Sequence, residues 1–294
     1  MKTIRVLVFG GTGIGKTSLC NTITGGAEPT DNGAKGVTSS SFIYPPFQSQ
    51  DVFIELVDTV GLHESAHGTV PAEKAVVELI SLLEKSRDGF NLLIHVTKAG
   101  RITKEHDEDY AFFVKKMTEG KIPVVLAITG CENEEPMMGW VTKNSDAFTR
   151  FNYKALIPGC FASGGRLEDL FRPLREESKQ NLITAIHTFA LSEAYMLYGE
   201  QTGISFNAAL TRIWNEFVLL AGLPDKYRRQ VNESIFALMR RLGVSEKIAR
   251  AAVTHIPDLL EEVGNKTPIP HGGKMLKFLS RAFLEKLTGK IAGE

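Results

Sequence analysis

Short apolar runs rich in β-branched residues recur along the first part of the chain, at residues 4–9, 52–57, 91–96 and 122–128. Runs of this length without polar alternation suit strands buried on both faces. Helix-length segments separate them, at 16–24, 71–85, 103–118 and 167–179. Such alternation predicts a mainly parallel sheet with helices on both sides. Residues 42–46 and 52–57 stand too close together for a crossover helix, so a hairpin adding one antiparallel strand is expected there. A further strand is expected at 157–161.

From about Gln180 onward the strand pattern stops and apolar stripes at helical spacing replace it. Phe206, Leu210, Ile213 and Phe217 form one stripe ending at Gly222, and Tyr227, Val231, Ile235, Leu238 and Leu242 form a second ending at Gly243. A short turn at 258–263 and a Pro/Gly linker at 267–273 lead to a last helix over 274–290. There Leu276, Leu279, Phe283 and Leu287 share a stripe, with Lys274, Lys277, Arg281 and Lys290 largely elsewhere around the helix. Two readings follow for it: docking on the first domain, or peripheral contact with a membrane surface. The expected division is an α/β domain over 1–185 and an all-helical extension over 186–294.

The 294 residues fit one medium domain and one small one. A hydrophobic share of 43% and a charged share of 23% exclude a disordered chain, a collagen and a coiled-coil rod. The longest apolar runs, such as 217–223, fall far short of the ~20 residues a membrane span needs. Met1 leads directly into a strand-like run, so a cytoplasmic protein is expected. Cys20, Cys131 and Cys160 lie far apart and outside any CxxC pair, which suits free thiols in a reducing compartment. The net charge of zero conceals an asymmetry: 20 basic and 25 acidic side chains up to residue 203, against 14 and 9 beyond it. No nucleic-acid partner is expected.

The strongest chemical signal is the run from Gly10 to Thr17, GGTGIGKT, a full G-x-x-x-x-G-K-[ST] match between a strand and a helix. Its glycines let the backbone turn N–H groups inward, and the following helix adds its positive N-terminal end, so main-chain donors surround a polyphosphate. Gly11, Thr12, Gly13, Ile14, Gly15, Lys16, Thr17 and Ser18 are the candidate contacts. Lys16 supplies charge to the β- and γ-phosphates, and the Thr17 hydroxyl is suited to Mg²⁺. A second box, Asp58-Thr59-Val60-Gly61, follows directly after a predicted strand. There the aspartate serves Mg²⁺ and the glycine N–H meets the γ-phosphate. Between the boxes, Thr38 is the natural second Mg²⁺ hydroxyl on a switch segment, with Ser39, Ser40 and Ser41 as competitors.

The runs GGTGIGKTSLCNTITG, DTVGL and KAGRITKEHDEDYAFF resemble the GTPases of immunity-associated proteins and the chloroplast outer-envelope Toc receptor GTPases, a septin-related branch of P-loop GTPases. The resemblance covers roughly residues 1–180, and Gly100-Arg101-Ile102-Thr103 is its most family-specific part. It implies the three-layer P-loop NTPase sandwich, GTP and GDP as substrate and product, and dimers that meet through their nucleotide faces. Where an ordinary GTPase of this kind has [NT]-K-x-D to read the base, this chain has Thr129-Gly130-Cys131-Glu132. Glu132 still accepts from guanine, but Gly130 cannot cover the ring, so looser selectivity or adenine stays open. Ser163 falls in the loop positioned to meet the guanine oxygen.

Many GTPases carry a glutamine just after the D-x-x-G glycine to orient the attacking water; here Leu62 stands there. Slow turnover is therefore expected unless another group assists. Arg101, brought to a partner's phosphates in a dimer, is one candidate and His63 another; Arg101 as a surface residue beginning a helix is the plain alternative. The run His63-Glu64-Ser65-Ala66-His67 matches the zinc motif H-E-x-x-H, but Gly61 and Gly68 bracket it in a loop and no third ligand is evident. His95 reads as a core residue, and Trp140 and Trp214 as packing residues. The functional expectation is a slow GTPase switch activated by nucleotide-dependent dimerisation, with a GTP-gated assembly module of little hydrolysis as the alternative.

Overall fold

A computed structural model describes residues 2–26, 42–59, 79, 81–162 and 167–220. The chain divides into two compact units, Met1–His63 with Asp88–Met196, and Glu64–Arg87 with Leu197–Glu294. The expected boundary at 185/186 falls inside a helix of the first unit.

The first unit is built on a seven-stranded sheet. In chain order it comprises β1 (Lys2–Phe9), α1 (Lys16–Thr24), β2 (Phe42–Ile43), β3 (Phe47–Ser49), β4 (Val52–Asp58), β5 (Leu92–Lys98), α2 (Lys104–Asp109), β6 (Val124–Thr129), α3 (Gly139–Asn144), β7 (Tyr153–Pro158) and α4 (Glu168–Phe189). The strand order is β2-β4-β1-β5-β6-β7, with β3 also on β4. All pairings are parallel except those of β2 and β3 with β4. These two pieces form the expected antiparallel edge, divided at Pro45-Pro46, where the prolines cannot donate to a ladder.

Alternation along the central strands assigns each face its own core. Val6, Val8, Ile94, Val96, Val125 and Ala127 pack with Leu19, Cys20 and Ile23 of α1 and Leu182 and Ile186 of α4. On the opposite face Leu126 and Ile128 meet Met137, Val141 and Phe148. Phe9 stacks there on His95 at 4.6 Å and lies against Phe113 at 4.5 Å. Helices thus cover both faces, as expected.

Three local departures have physical causes. The strand expected at 157–161 lies earlier, at β7, because this sheet-edge strand is half-exposed and shows no continuous apolar run. The helix expected over 103–118 is α-helical only to Asp109, and residues Tyr110–Met117 form wider π-helical turns. That widening buries Phe112, Phe113 and Val114, three consecutive residues that one stripe of an α-helix does not accommodate together. The segment expected to be helical at 167–179 continues to Phe189 through Pro173 in its first turns.

The second unit contains α5 (Phe206–Leu220), whose expected stripe buries Leu210, Ile213 and Phe217, with Trp214 against Phe217. Residues 81–85 are helical, and Leu83 O accepts from the Tyr198 hydroxyl at 2.9 Å. The remaining predicted helices, at 227–242 and 274–290, lie outside the described residues, as do most of 71–80. Among the described residues no helix is long and apolar enough to cross a membrane. All three cysteines are free and buried.

Candidate functional site

At the carboxyl end of β1 the chain turns through Gly10 at φ 142° into a loop that ends at Gly15, φ 96°. A Cβ at Gly10 would stand 2.4 Å from Val96 O, so the loop passes against β5 too closely for any side chain. Gly15 caps α1 without a side-chain hydrogen bond, leaving the first N–H groups of the helix facing the loop. These donors and the helix dipole are what a polyphosphate requires.

Lys16 folds back across the loop, its Nζ donating to Gly10 O at 2.8 Å and Gly11 O at 2.7 Å. The Thr17 hydroxyl donates to Oδ2 of Asp58 at 3.0 Å. Asp58 is 1% exposed, and burial raises its pKa against the opposing pull of Lys16, Thr17 and the Thr59 N–H. Its other oxygen, Oδ1, is buried and without a hydrogen-bond partner. A hydroxyl beside a carboxylate with a spare buried oxygen fits a hard divalent cation such as Mg²⁺. Such an ion, when bound, neutralises charge on the β- and γ-phosphates.

The base-reading segment lies at the end of β6. The Thr129 hydroxyl donates to Ile14 O at 2.7 Å and so secures the phosphate loop to this strand. Cys131 turns inward, Sγ to Ile128 O at 3.6 Å, with its thiol pKa pushed up to about 11 by burial. Glu132 is half-buried, with Oε2 buried and unpartnered. Gly130 sits at φ 79°, its open side covered by the stem of Lys98. Behind this segment the 159–162 loop is fixed by Ser178 Oγ, which accepts from Cys160 N at 2.9 Å, and by Arg175, which donates to Ala162 O at 2.8 Å.

The structure therefore gathers Gly11, Thr12, Gly13, Ile14, Gly15, Lys16, Thr17, Ser18, Asp58 and Thr129 around one loop. Arg101 is exposed after β5. Thr103 of the same segment caps α2, its side chain accepting from His106 N at 3.3 Å. Thr38, Gly61, Leu62, His63 and Ser163, with the whole His63–His67 motif, lie outside the described residues. Of the acidic run after Arg101, Asp109 is buried, Asp107 pairs with Arg150 at 2.7 Å and Glu108 pairs with Lys104 at 2.6 Å. Glu105 instead places Oε2 3.5 Å from where a Gly11 Cβ would stand. Neither Glu105 nor Lys98 is marked by any motif; only the register of β5 against β6 brings Lys98 to the site.

Residues 5–129 match the family model of the 50S ribosome-binding GTPases. This stretch is a P-loop GTPase domain. No curated protein matches the sequence. Among solved structures, Era in complex with MgGDPNP and nucleotides 1506–1542 of 16S ribosomal RNA aligns at 17% identity and a TM-score of 0.45, over 74% of this chain and 66% of that one. An Era variant of Aquifex aeolicus bound to GDP.AlF4- aligns at 16% and 0.42, over 68% and 60%. The FeoB G-domain from Methanococcus jannaschii aligns at 16% and 0.37, over 64% and 99%. The GTPase domain thus aligns to about two thirds of the length of one Era chain and less of the other.

Proposed function

We propose that the chain is a guanine-nucleotide switch that hydrolyses GTP to GDP slowly and is accelerated when two copies meet through their nucleotide faces. The observation that carries this reading is the joining of Thr17, Asp58 and Lys16 at one glycine loop. Lys16 leaves its two carbonyl partners to meet the β- and γ-phosphates, the N–H groups at the start of α1 bind the same oxygens, and Asp58 with Thr17 holds Mg²⁺. Glu132 accepts from the guanine edge.

Arg101 supports activation in trans. It is exposed at the carboxyl end of a central strand, where α/β sheets bind ligands, and Glu105, four residues on, lies against Gly11. This agrees with the resemblance to the immunity-associated and Toc receptor branch. An arginine supplied by a partner is worth about 10³ to 10⁵ in rate in comparable systems. Leu62, which cannot orient water, favours the second reading, a GTP-gated assembly module with little hydrolysis.

Single-turnover hydrolysis measured across protein concentrations tests the choice. The rate per molecule is expected to rise with concentration, and Arg101→Ala to remove the rise with nucleotide affinity nearly unchanged. A slow rate independent of concentration would replace the trans-arginine mechanism with the assembly reading.

A further inference from the structure

The base pocket of this GTPase domain has an acceptor but, within its own box, no floor. Thr129 and Cys131 turn their side chains onto Ile14 O and Ile128 O, so positions 130 and 132 remain to meet a base. Position 130 is glycine at φ 79°, a conformation in which any side chain is strained. The ring cover that a lysine of the usual box supplies is therefore missing from the segment itself.

The register of the sheet brings a substitute from the neighbouring strand. Lys98, the last residue of β5, pairs with Thr129, the last of β6. A Cβ built on Gly130 would lie 3.5 Å from Lys98 Cγ and 3.6 Å from Cε, both ordinary van der Waals contacts. The lysine stem thus runs along the space that a side chain at 130 would border. Its ammonium forms no hydrogen bond or ion pair among the described residues, and the residue is exposed. Two positions further on, Glu132 presents a buried and unpartnered Oε2, which is what a ring N–H or exocyclic amine can satisfy.

We propose that Lys98 is the floor of the base pocket, the surface against which the guanine ring packs while Glu132 accepts hydrogen bonds from its edge. This deepens, and rests on, the guanine-nucleotide reading above. The methylenes give apolar contact to the flat ring, and the ammonium adds the attraction of a cation for a π-face. Gly130 is then required not for its own flexibility alone but because a side chain there would compete with the lysine for the same space. A one-residue box has been replaced by two residues on adjacent strands.

The test measures the affinities of GDP, ADP and inorganic tripolyphosphate for the nucleotide-free full chain by calorimetry, in the wild type, Lys98→Ala and Lys98→Met. Lys98→Ala is expected to weaken GDP about tenfold, the worth of a contact of roughly 1.4 kcal/mol, and to leave tripolyphosphate within about twofold. Lys98→Met, which keeps the stem, is expected to stay within about threefold of wild type for GDP. A wild type that prefers GDP, together with a Lys98→Ala protein that binds it equally well, would overturn the proposal alone. Equal losses for GDP and tripolyphosphate would also overturn it, since the lysine would then act on phosphate. Equal affinities of the wild type for GDP and ADP would overturn the guanine reading and the proposal together.

Discussion

The hydroxyl of Thr17 lies 3.0 Å from Oδ2 of Asp58, joining the first turn of α1 to the end of β4 across 41 residues of sequence. The contact leaves Asp58 Oδ1 buried and unpartnered, so the pair is half of a coordination set. Asp58→Ala is therefore expected to remove the Mg²⁺ dependence of nucleotide binding. In the wild type, chelation of Mg²⁺ should weaken GDP binding by about tenfold or more, whereas in Asp58→Ala affinity should already be low and chelation should change it little. Titration of GDP with and without a chelator checks this, and an unaltered response in the variant would deny Asp58 the metal.

Lys16 is the second test of the site. Its ammonium is held by two loop carbonyls, Gly10 O and Gly11 O, and the loop is outside the apolar core. Lys16→Ala is expected to abolish measurable GTP binding while shifting the melting temperature by no more than a few degrees, because a charge aimed at phosphate is lost and no core contact is. Binding assays paired with thermal melts measure both effects.

The parts of the site that a contiguous motif encodes were legible in the sequence. Lys16 and Thr17 sit in the glycine loop, and Asp58 is at the end of a strand whose apolar run is unmistakable. The roles that depend on register were not. Thr129 was visible as the first residue of a base box, yet its hydroxyl acts on Ile14 O, 115 residues away. Lys98 acquires its place only because β5 and β6 run parallel with Lys98 opposite Thr129. Strand β7 was placed too late because an edge strand with exposed Lys154 carries little apolar signal, and the π-helical turn was missed because hydrophobic spacing distinguishes helix from strand better than it distinguishes helix types.

Asn91 ties both ends of the first unit together. Its Oδ1 accepts from Arg5 N at 2.9 Å and its Nδ2 donates to Leu191 O at 2.9 Å, with the residue 1% exposed. Asn91→Ala leaves a buried donor and a buried acceptor without partners, at a cost of about 2 to 4 kcal/mol. For a unit of this size that corresponds to roughly 5 to 15 °C in melting temperature. Thermal or denaturant unfolding of the variant measures it, and a loss below about 0.5 kcal/mol would mean that water replaces both bonds.

Acid should destabilise the GTPase domain through His106. This ring lies in an aromatic cluster, stacked on His95 at 4.2 Å with Nε2 3.0 Å from the Tyr153 hydroxyl, and burial lowers its pKa to about 4. Asp107 pulls the value up and Arg150 pulls it further down, but neither outweighs burial. The unfolded chain protonates near 6.5, so between that pH and about 4 the unfolded state binds a proton that the folded state refuses. The contribution is accordingly complete above pH 6.5, declines as the pH falls and levels off below about 4. His95, lowered well below its ordinary range by burial, His106 and Lys16, acts in the same direction. Asp58, raised by burial, acts in the opposite one, since its cost grows as the pH rises. Comparison with His106→Gln isolates the first term: between pH 7.5 and 5 the wild type should lose about 2 kcal/mol more than the variant. Urea unfolding of both proteins at the two pH values gives that difference, and equal losses would place the acid sensitivity on His95 or on the carboxylates.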